Sequence, residues 1–417
     1  MPASHTAIWA ISLLAIALML LRPWKISEAT WVCCGAGLLL LLRLVPSGIA
    51  WHAVGEGLDV YLFLAGMMLL AQLGHTHGVF DWLATVAIQH AKASRMRLFA
   101  LIYAVGTVVT IFMSNDATAV VLTPAVLAAV KKAKSEPLPY LLSCAFIANA
   151  ASFVLPVSNP ANLVVFHSGV PPLAQWLHTF ALASVLSILA TFVALFWYCR
   201  GTLRGNTESN IADGHLSPAG KLALGGIGFV AVVLLITSAL GTDLGLPTCV
   251  ASVFVVLVIC ARERRSPAPI LREISWSVIP LVAGLFVLVE AMNRAGASHL
   301  VLAALHTLST WPRVAGAIAA SFGVGMGSNL LNNLPLGLIA GSSVHQAHIA
   351  GSLRNAVLVG IDLGPNLSVT GSLATILWLI AIRKEGLHVS GWTFLKAGIV
   401  VMPPALLLAT LAVAAVR

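Results

Sequence analysis

The sequence predicts an all-α polytopic membrane protein with ten spans plus two re-entrant hairpins, arranged as two inverted-topology repeats with broken helices at the midplane. Three observations lead there. Of 417 residues, 59% are hydrophobic and 9% charged, whereas a soluble domain carries about 25% charged residues and needs them to cover its surface. The apolar residues run on for about 16 to 25 positions without alternating, which is the pattern of helical spans and not of barrel strands. Four of the stretches are interrupted by Asn, Ser, Asp, Pro and Gly, in the same order in both halves of the chain. Secondary transporters built from repeats carry such interruptions.

Apolar runs bounded by charged residues or by Pro and Gly place spans at 6–21, 30–45, 57–74, 138–170, 175–198, 221–240, 246–262, 275–292, 351–382 and 391–415. The first run has no Lys or Arg before it and no small-residue cleavage site, so it reads as a retained span and not as a signal peptide. Two further stretches, 97–131 and 312–345, are interrupted by Ser114-Asn115-Asp116 and by Ser328-Asn329 with Asn332-Asn333. Arms of about 15 residues would rise about 22 Å, short of a hydrocarbon core of about 30 Å, which predicts hairpins that return to their own side.

The net charge of +9 would suggest nucleic acid in a soluble domain, but here the basic residues are loop residues that set orientation. No nucleic-acid partner is expected. With hairpins returning, 17 of the 23 Lys and Arg fall on one face. That face is cytoplasmic by the positive-inside rule, which puts both termini outside. At an offset of 218, Ala65-Gly66, Gln72 and Gly78 meet Ala283-Gly284, Glu290 and Gly296; at 217, Asn115-Asp116 meets Asn332-Asn333. Five crossings per half is an odd number, so the second half is inverted. The chain divides into an N-terminal repeat, 1–198, a polar cytoplasmic linker, 199–220, and a C-terminal inverted repeat, 221–417. Each repeat holds one hairpin and one broken span, 138–170 or 351–382.

The interruptions are where chemistry is expected. Pro and Gly inside a span free backbone groups that only protein, water or cargo can satisfy. The broken ends present amides and carbonyls at mid-membrane, as substrate and ion sites do. Candidate substrate-binding residues are Ser114, Asn115, Asn159, Asn162, Asn332, Asn333, Asn366 and Ser368. The bland alternative is that these residues cap helices and glue spans together. Asp116 and Asp362 lie in broken segments of opposite halves. A low dielectric favours the neutral form of an unpaired carboxylate, which makes both candidates for proton coupling. Glu290 has Arg294 one turn later and reads as half of an ion pair, while Asp59 at a span boundary reads as solvated or capping.

No cofactor and no metal site are expected. The six cysteines lie in or at the ends of apolar runs with no CxxC pair, His75 and His77 lack further ligands, and Cys33-Cys34 point in different directions on a helix. Cys144 lies about one turn before Asn149, upstream of the 156–162 break, and is a lesser candidate for a substrate contact. HExxH, GxSxG and P-loop motifs are absent, which disfavours an intramembrane enzyme and a built-in ATPase.

SNDATAVVLTPAV (114–126) with ASFVLPVSNPANLVV (151–165) resembles the hairpin and broken-span signatures of the ion-transporter superfamily that includes divalent-anion/sodium symporters. GSNLLNNLPLGLIAG (327–341), VGIDLGPNLSVTGSLATILWL (359–379) and LVAGLFVLVEAMNRAG (281–296) resemble one branch more closely, the arsenical pump membrane proteins, or ArsB-type arsenite/antimonite efflux transporters. The resemblance implies a secondary transporter of the bacterial inner membrane. It would export arsenite and antimonite in exchange for protons by alternating access, and a separate soluble arsenical-pump ATPase is a possible partner. Where the symporter motif has Ser-Asn-Thr, this chain has Ser114-Asn115-Asp116 and Asn332-Asn333-Leu334, and no Lys or Arg lies in any interruption. That favours proton coupling and a neutral cargo over the alternative, a sodium/proton antiporter or sodium-coupled carboxylate symporter.

Overall fold

A computed structural model describes residues 3–166, 169–207, 215–346 and 351–416. Residues 167–168 of the predicted first broken span, 208–214 of the predicted linker, 347–350 of the stretch before the second broken span, and Arg417 lie outside the described residues, as do the first two residues.

Every named element among the described residues is helical. In the first half α1 (Ala3–Leu21), α2 (Glu28–Leu41) and α3 (Ser47–Glu56) precede the long α4 (Leu58–Thr76) and the short α5 (Val79–His90). Then come α6 (Arg95–Met113), the single turn α7 (Asn115–Ala117), a π turn over Thr118–Leu122, and α8 (Thr123–Lys132). The half closes with α9 (Leu138–Ala150), α10 (Pro160–Val165) and α11 (Leu173–Cys199). The second half has α12 (Pro218–Leu240), α13 (Gly245–Glu263), the short α14 (Ala268–Glu273), α15 (Val278–Arg294) and α16 (Ala297–Ser309). It continues through α17 (Arg313–Leu331), α18 (Asn333–Gln346), α19 (Ser352–Leu363), α20 (Leu373–Lys384) and α21 (Gly391–Ala415).

The helix starts follow from local chemistry. Ser27, Ser94, Ser217 and Ser390 accept backbone N–H groups in the first turns of α2, α6, α12 and α21, which satisfies donors that a helix N-terminus leaves free. Asp59 caps a neighbour: its Oδ1 accepts the Gly245 amide at 2.6 Å, at the start of α13. Gly78 and Gly296 hold left-handed conformations immediately before α5 and α16, which is the conformational freedom that the matched glycines supply.

Among the described residues, eight helices are long and apolar enough to cross a membrane, and the pair α15 and α16, bent by 71°, makes a ninth. The ten spans expected from the sequence differ because α2, with 14 residues, rises only about 21 Å, and the runs 138–170 and 351–382 are each two short helices. Arm length also differs from expectation. The first arms, α6 and α17, have 19 residues each, and both are long enough to cross unaided. The argument that the arms are too short therefore fails for these two helices, because α6 begins at Arg95, before the expected stretch, and α17 runs on through Ser328-Asn329 to Leu331.

Exposed side chains show what solvent the fold requires. On α11, Leu182, Val185, Leu189 and Val193 form an exposed stripe, and Phe229, Val232 and Ile236 form another on α12. Apolar stripes at helical spacing that face outward from a monomer belong against lipid. Polar atoms of buried aromatics are paired inside: the indole of Trp176 donates to the Phe153 carbonyl at 3.1 Å, and that of Trp378 to Leu141 at 2.9 Å. The first bond holds α11 to the start of the first break, just after α9, and the second holds α20 to α9 itself.

Candidate functional site

Each hairpin tip turns on a residue that is not glycine. Ser114, between α6 and α7, has φ 104° and ψ 160°, and Asn332, between α17 and α18, has φ 71° and ψ 151°. Such backbone costs about 1–3 kcal/mol and persists where surroundings over-determine it. At the first tip Thr110 and Thr118 join hydroxyls at 2.8 Å across the turn, and Thr123 donates to the Thr118 carbonyl inside the π turn. At the second, Asn332 Oδ1 accepts the Leu334 amide at 3.3 Å and its Nδ2 donates to the Thr370 carbonyl at 3.2 Å. The two turning residues stand at an offset of 218, so Ser114 matches Asn332, Asn115 matches Asn333 and Asp116 matches Leu334. Backbone conformation thus corrects the offset of 217 that residue identity suggests.

The broken spans restart in the same way. Asn159 caps α10 by accepting the Ala161 amide at 3.0 Å, and Ser372 caps α20 by accepting the Thr375 amide at 3.1 Å. Carbonyls freed in the first break are gathered by Asn162, whose Nδ2 donates to Ser152 at 2.8 Å and also reaches Pro156 and Leu155. In the second break Ser368 donates to Asn329 Oδ1 at 2.7 Å, and Asn329 Nδ2 donates to the Gly364 carbonyl at 2.9 Å.

The tips and restarts meet around one open space of about 290 Å³. Its wall holds Asn115 and Asn333, Asp116 and Leu334, Leu64 and Val282, Asn159 and Ser372, and Pro160 and Leu373. These are matched pairs, the first three at an offset of 218 and the last two at an offset of 213. Among the described residues, the carboxamide oxygens of Asn115 and Asn333 find no partner. Beside this space, and sharing Leu64, Asp116, Pro160 and Val278 with it, lies a wider cavity of about 680 Å³. That cavity reaches Ser114, Met67, Gln72, Glu273 and Ser275. Asp116 and Glu273 are the ionisable groups in the two walls, and among the described residues no Lys, Arg or His lines either. Gln72 Nε2 donates to the Glu273 carboxylate across the mouth of the wider cavity.

Asp362 stands one layer behind. It is wholly buried, accepts from Asn159 Nδ2 at 2.8 Å through Oδ1, and leaves Oδ2 without a partner among the described residues. The hydrogen bond joins the two halves at the wall. A second polar suture joins them nearby: Asn149 Nδ2 donates to Asn366 Oδ1 at 3.0 Å, Asn366 Nδ2 donates to the Phe146 carbonyl at 3.1 Å, and Ser372 donates to Asn149 Oδ1 at 3.3 Å.

Of the ten residues singled out in the sequence, Asn115, Asp116, Asn159 and Asn333 line the smaller space and Ser114 the wider one. Asp362 backs Asn159, whereas Asn162, Asn332, Asn366 and Ser368 spend side-chain polar atoms on the protein's own broken backbone and amides. Ser372 escaped the sequence reading, Asn329 was noted within an interruption and Asn149 beside Cys144, but neither was chosen as a site residue. The signal for Ser372 was its place opposite Asn159 at an offset of 213, masked by the change of residue type.

A model of the citrate transporter family, CitMHS, matches residues 6–361. The chain belongs to the citrate transporter family. Proteins similar to this family member include the arsenical pump membrane protein of Escherichia coli (strain K12), 25% identical with 98% of each chain covered. That of Yersinia enterocolitica is also 25% identical, again over 98% of each chain. Among solved structures, the YdaH transporter of Alcanivorax borkumensis matches with a TM-score of 0.54 at 12% identity, covering 99% of this chain and 98% of that one, which supports the fold. This citrate transporter family member is an integral membrane protein, and these curated relatives are named as arsenical pumps.

Away from the site, Glu290 pairs with Arg294 at 2.8 Å. His77 bonds the Leu73 carbonyl and Glu263, and among the described residues no His, Cys, Asp and Glu cluster could hold a metal ion. Cys144 is buried and lies outside the walls of both cavities.

Proposed function

We propose that this citrate transporter family member exports arsenite and antimonite from the cytoplasm in exchange for protons, by alternating access in an inner membrane. Two inverted repeats, with hairpins entering from opposite faces, would carry the smaller space between them. The observation that carries the reading is the chemistry of the two walls: amides, hydroxyls and carboxylates, with no Lys, Arg or His among the described residues. Citrate would bring several negative charges beside Asp116 with no cation to meet them, and like charge in low dielectric is strongly unfavourable. Arsenous acid at neutral pH is mainly the uncharged trihydroxide. Its O–H groups can donate to Asn115, Asn333 or Asp116, and its oxygens can accept from the second N–H of Asn159; a carboxamide turns about its last torsion at small cost to present either end.

Asp116 faces the cargo space, and Asp362 holds Asn159. Protonation drives a cycle only when it favours one state over the other, and a carboxylate lodged among amides and apolar groups changes its fit to that wall when it gains a proton. An ATPase partner is compatible with this scheme and is not required by it. Sodium/proton antiport, or sodium-coupled carboxylate uptake, is the rival on the same scaffold.

The test is arsenite accumulation in everted membrane vesicles with and without an imposed proton gradient, for the wild type and Asp116→Asn. Gradient-driven uptake that falls at least about tenfold in the variant, the loss of about 1.4 kcal/mol of driving coupling, is expected. Gradient-driven citrate or sodium movement with no arsenite uptake would replace the cargo assignment, and unchanged uptake in the variant would remove Asp116 from coupling.

A further inference from the structure

A third cavity, of about 370 Å³, lies apart from the other two and is lined by Ala53, Glu56, Phe286, Val289, Glu290, Asn293, Leu338 and Ser342. Four of these residues, Phe286, Val289, Glu290 and Leu338, match Met68, Ala71, Gln72 and Val120 at the offset of 218, and all four of those line the wide cavity. Half of the third cavity's wall is therefore the second half's copy of part of the wide cavity's wall.

One helix face connects all three spaces. Along α15, Val278 touches the wide and the central spaces, Val282 the central one, and Phe286, Val289, Glu290 and Asn293 the third. Steps of three and four along the chain keep them on one side of the helix. On α18, Leu334 lines the central space while Leu338 and Ser342 line the third, again in steps of four. The wide and third cavities thus sit at opposite ends of α15, with the central space between them.

The third cavity is the narrower of the two, about 370 Å³ against about 680 Å³. Val120 is 38% exposed, while its counterpart Leu338 is 7% exposed and Phe286 5%. Asn293 Nδ2 donates to Ser342 Oγ at 3.4 Å and ties α15 to α18 across the narrow end. We propose that this third cavity is the exit chamber for the same small, neutral, hydroxyl-bearing cargo, in its narrowed form. The Asn293–Ser342 bond is its latch, and Glu290 and Glu56 are the hydrogen-bonding groups at its mouth. The inference rests on the alternating-access reading and extends it to residues outside the broken segments.

The test uses accessibility and no cargo. On a background with the six native cysteines replaced, Ala71→Cys and Val289→Cys are each reacted with a membrane-impermeant maleimide applied to either face of sealed vesicles. Ala71→Cys should react from one face, and Val289→Cys should react from the opposite face and about tenfold more slowly. Adding Asn293→Ala should raise the Val289→Cys rate by about threefold or more and lower the Ala71→Cys rate, because opening one end closes the other. Ser342→Ala, which removes the same bond from its other side, should do likewise. Labelling of both positions from one face, or both rates rising together as in a merely loosened fold, overturns the assignment. A protein that moves no arsenite but shows the reciprocal change keeps its exit chamber and loses only the cargo reading.

Discussion

Asp116 and Asp362 are two carboxylates in unlike settings around a single space. Asp116 is half-buried in the wall, while Asp362 is wholly buried with one oxygen bonded to Asn159 and the other partnerless among the described residues. An Asp362→Asn side chain keeps an acceptor for Asn159 and has nearly the same shape, but it exchanges no proton. Its predicted effect is loss of gradient-driven export, by about tenfold or more, with a thermal unfolding midpoint in detergent that moves by only a few degrees, about 2–4 °C for 1 kcal/mol in a chain of ordinary size. Gradient-driven export at the wild-type rate would make Asp362 a positioning group alone. Asn366→Ala is expected to behave in the opposite sense. It strands Asn149 and the Phe146 carbonyl in a buried place, so stability should fall by about 1 kcal/mol, as interhelical hydrogen bonds in membranes do. A double-mutant cycle with Asn149→Ala should return a coupling of about 0.5 kcal/mol or more; strict additivity would mean that the suture contributes nothing. The sequence drew attention to these amides as a set but could not sort them. Whether Asn115 faces cargo while Asn366 faces another amide depends on the pairing of segments from opposite halves of the chain, which no local pattern encodes.

Helix boundaries were much more readable, because caps and apolar periodicity are local. The expected runs 57–74, 246–262 and 391–415 appear as α4, α13 and α21 with ends shifted by a position or two at most. The short helices α5 and α16 stand at matching places in the two halves, each just after a left-handed glycine. What resisted was the length of the first hairpin arms and the register of the tips, since Asn115-Asp116 and Asn332-Asn333 look alike as letters while the positive φ falls on Ser114 and Asn332. Packing between elements was hidden for a different reason. A Cβ on Gly364 would stand 2.4 Å from the Cα of Gly325, and one on Gly360 would stand 2.5 Å from the Ser321 carbonyl oxygen. Small residues four apart on α17 and at the end of α19 thus let two backbones touch, as small-residue motifs do between membrane helices. Gly364→Val should force these helices apart, destabilising by about 1–3 kcal/mol as overpacked cores do. It should abolish transport, because the second break hangs from this contact through Asn329. Thermal unfolding and vesicle uptake measured together would check this, and a variant with wild-type stability would refute the close approach.

Over the whole chain, the paired walls of the central space and the paired cavities at its two ends are what two copies of one motif produce, but a copy can be parallel or upside down. Sequence offsets alone do not distinguish these, since both give the same spacing. The choice has physical consequences for transport. Parallel copies would place both wide-mouth walls on one face and leave no second exit, whereas inverted copies give each face one mouth. Lys92, in the turn before α6, and Thr310, in the turn before α17, are exposed and match each other at the offset of 218. In a parallel arrangement, Lys92→Cys and Thr310→Cys on the cysteine-replaced background would react with an impermeant maleimide from the same face. In the inverted arrangement, they react from opposite faces. The Lys and Arg bias predicts the latter, with position 92 on the cytoplasmic side beside Arg95 and Arg97, because positive charge is held there during insertion. Labelling of intact cells should therefore modify Thr310→Cys and spare Lys92→Cys until the membrane is opened. Modification of both in intact cells would overturn the inversion, and with it the account of how one polar space meets two sides of a bilayer in turn.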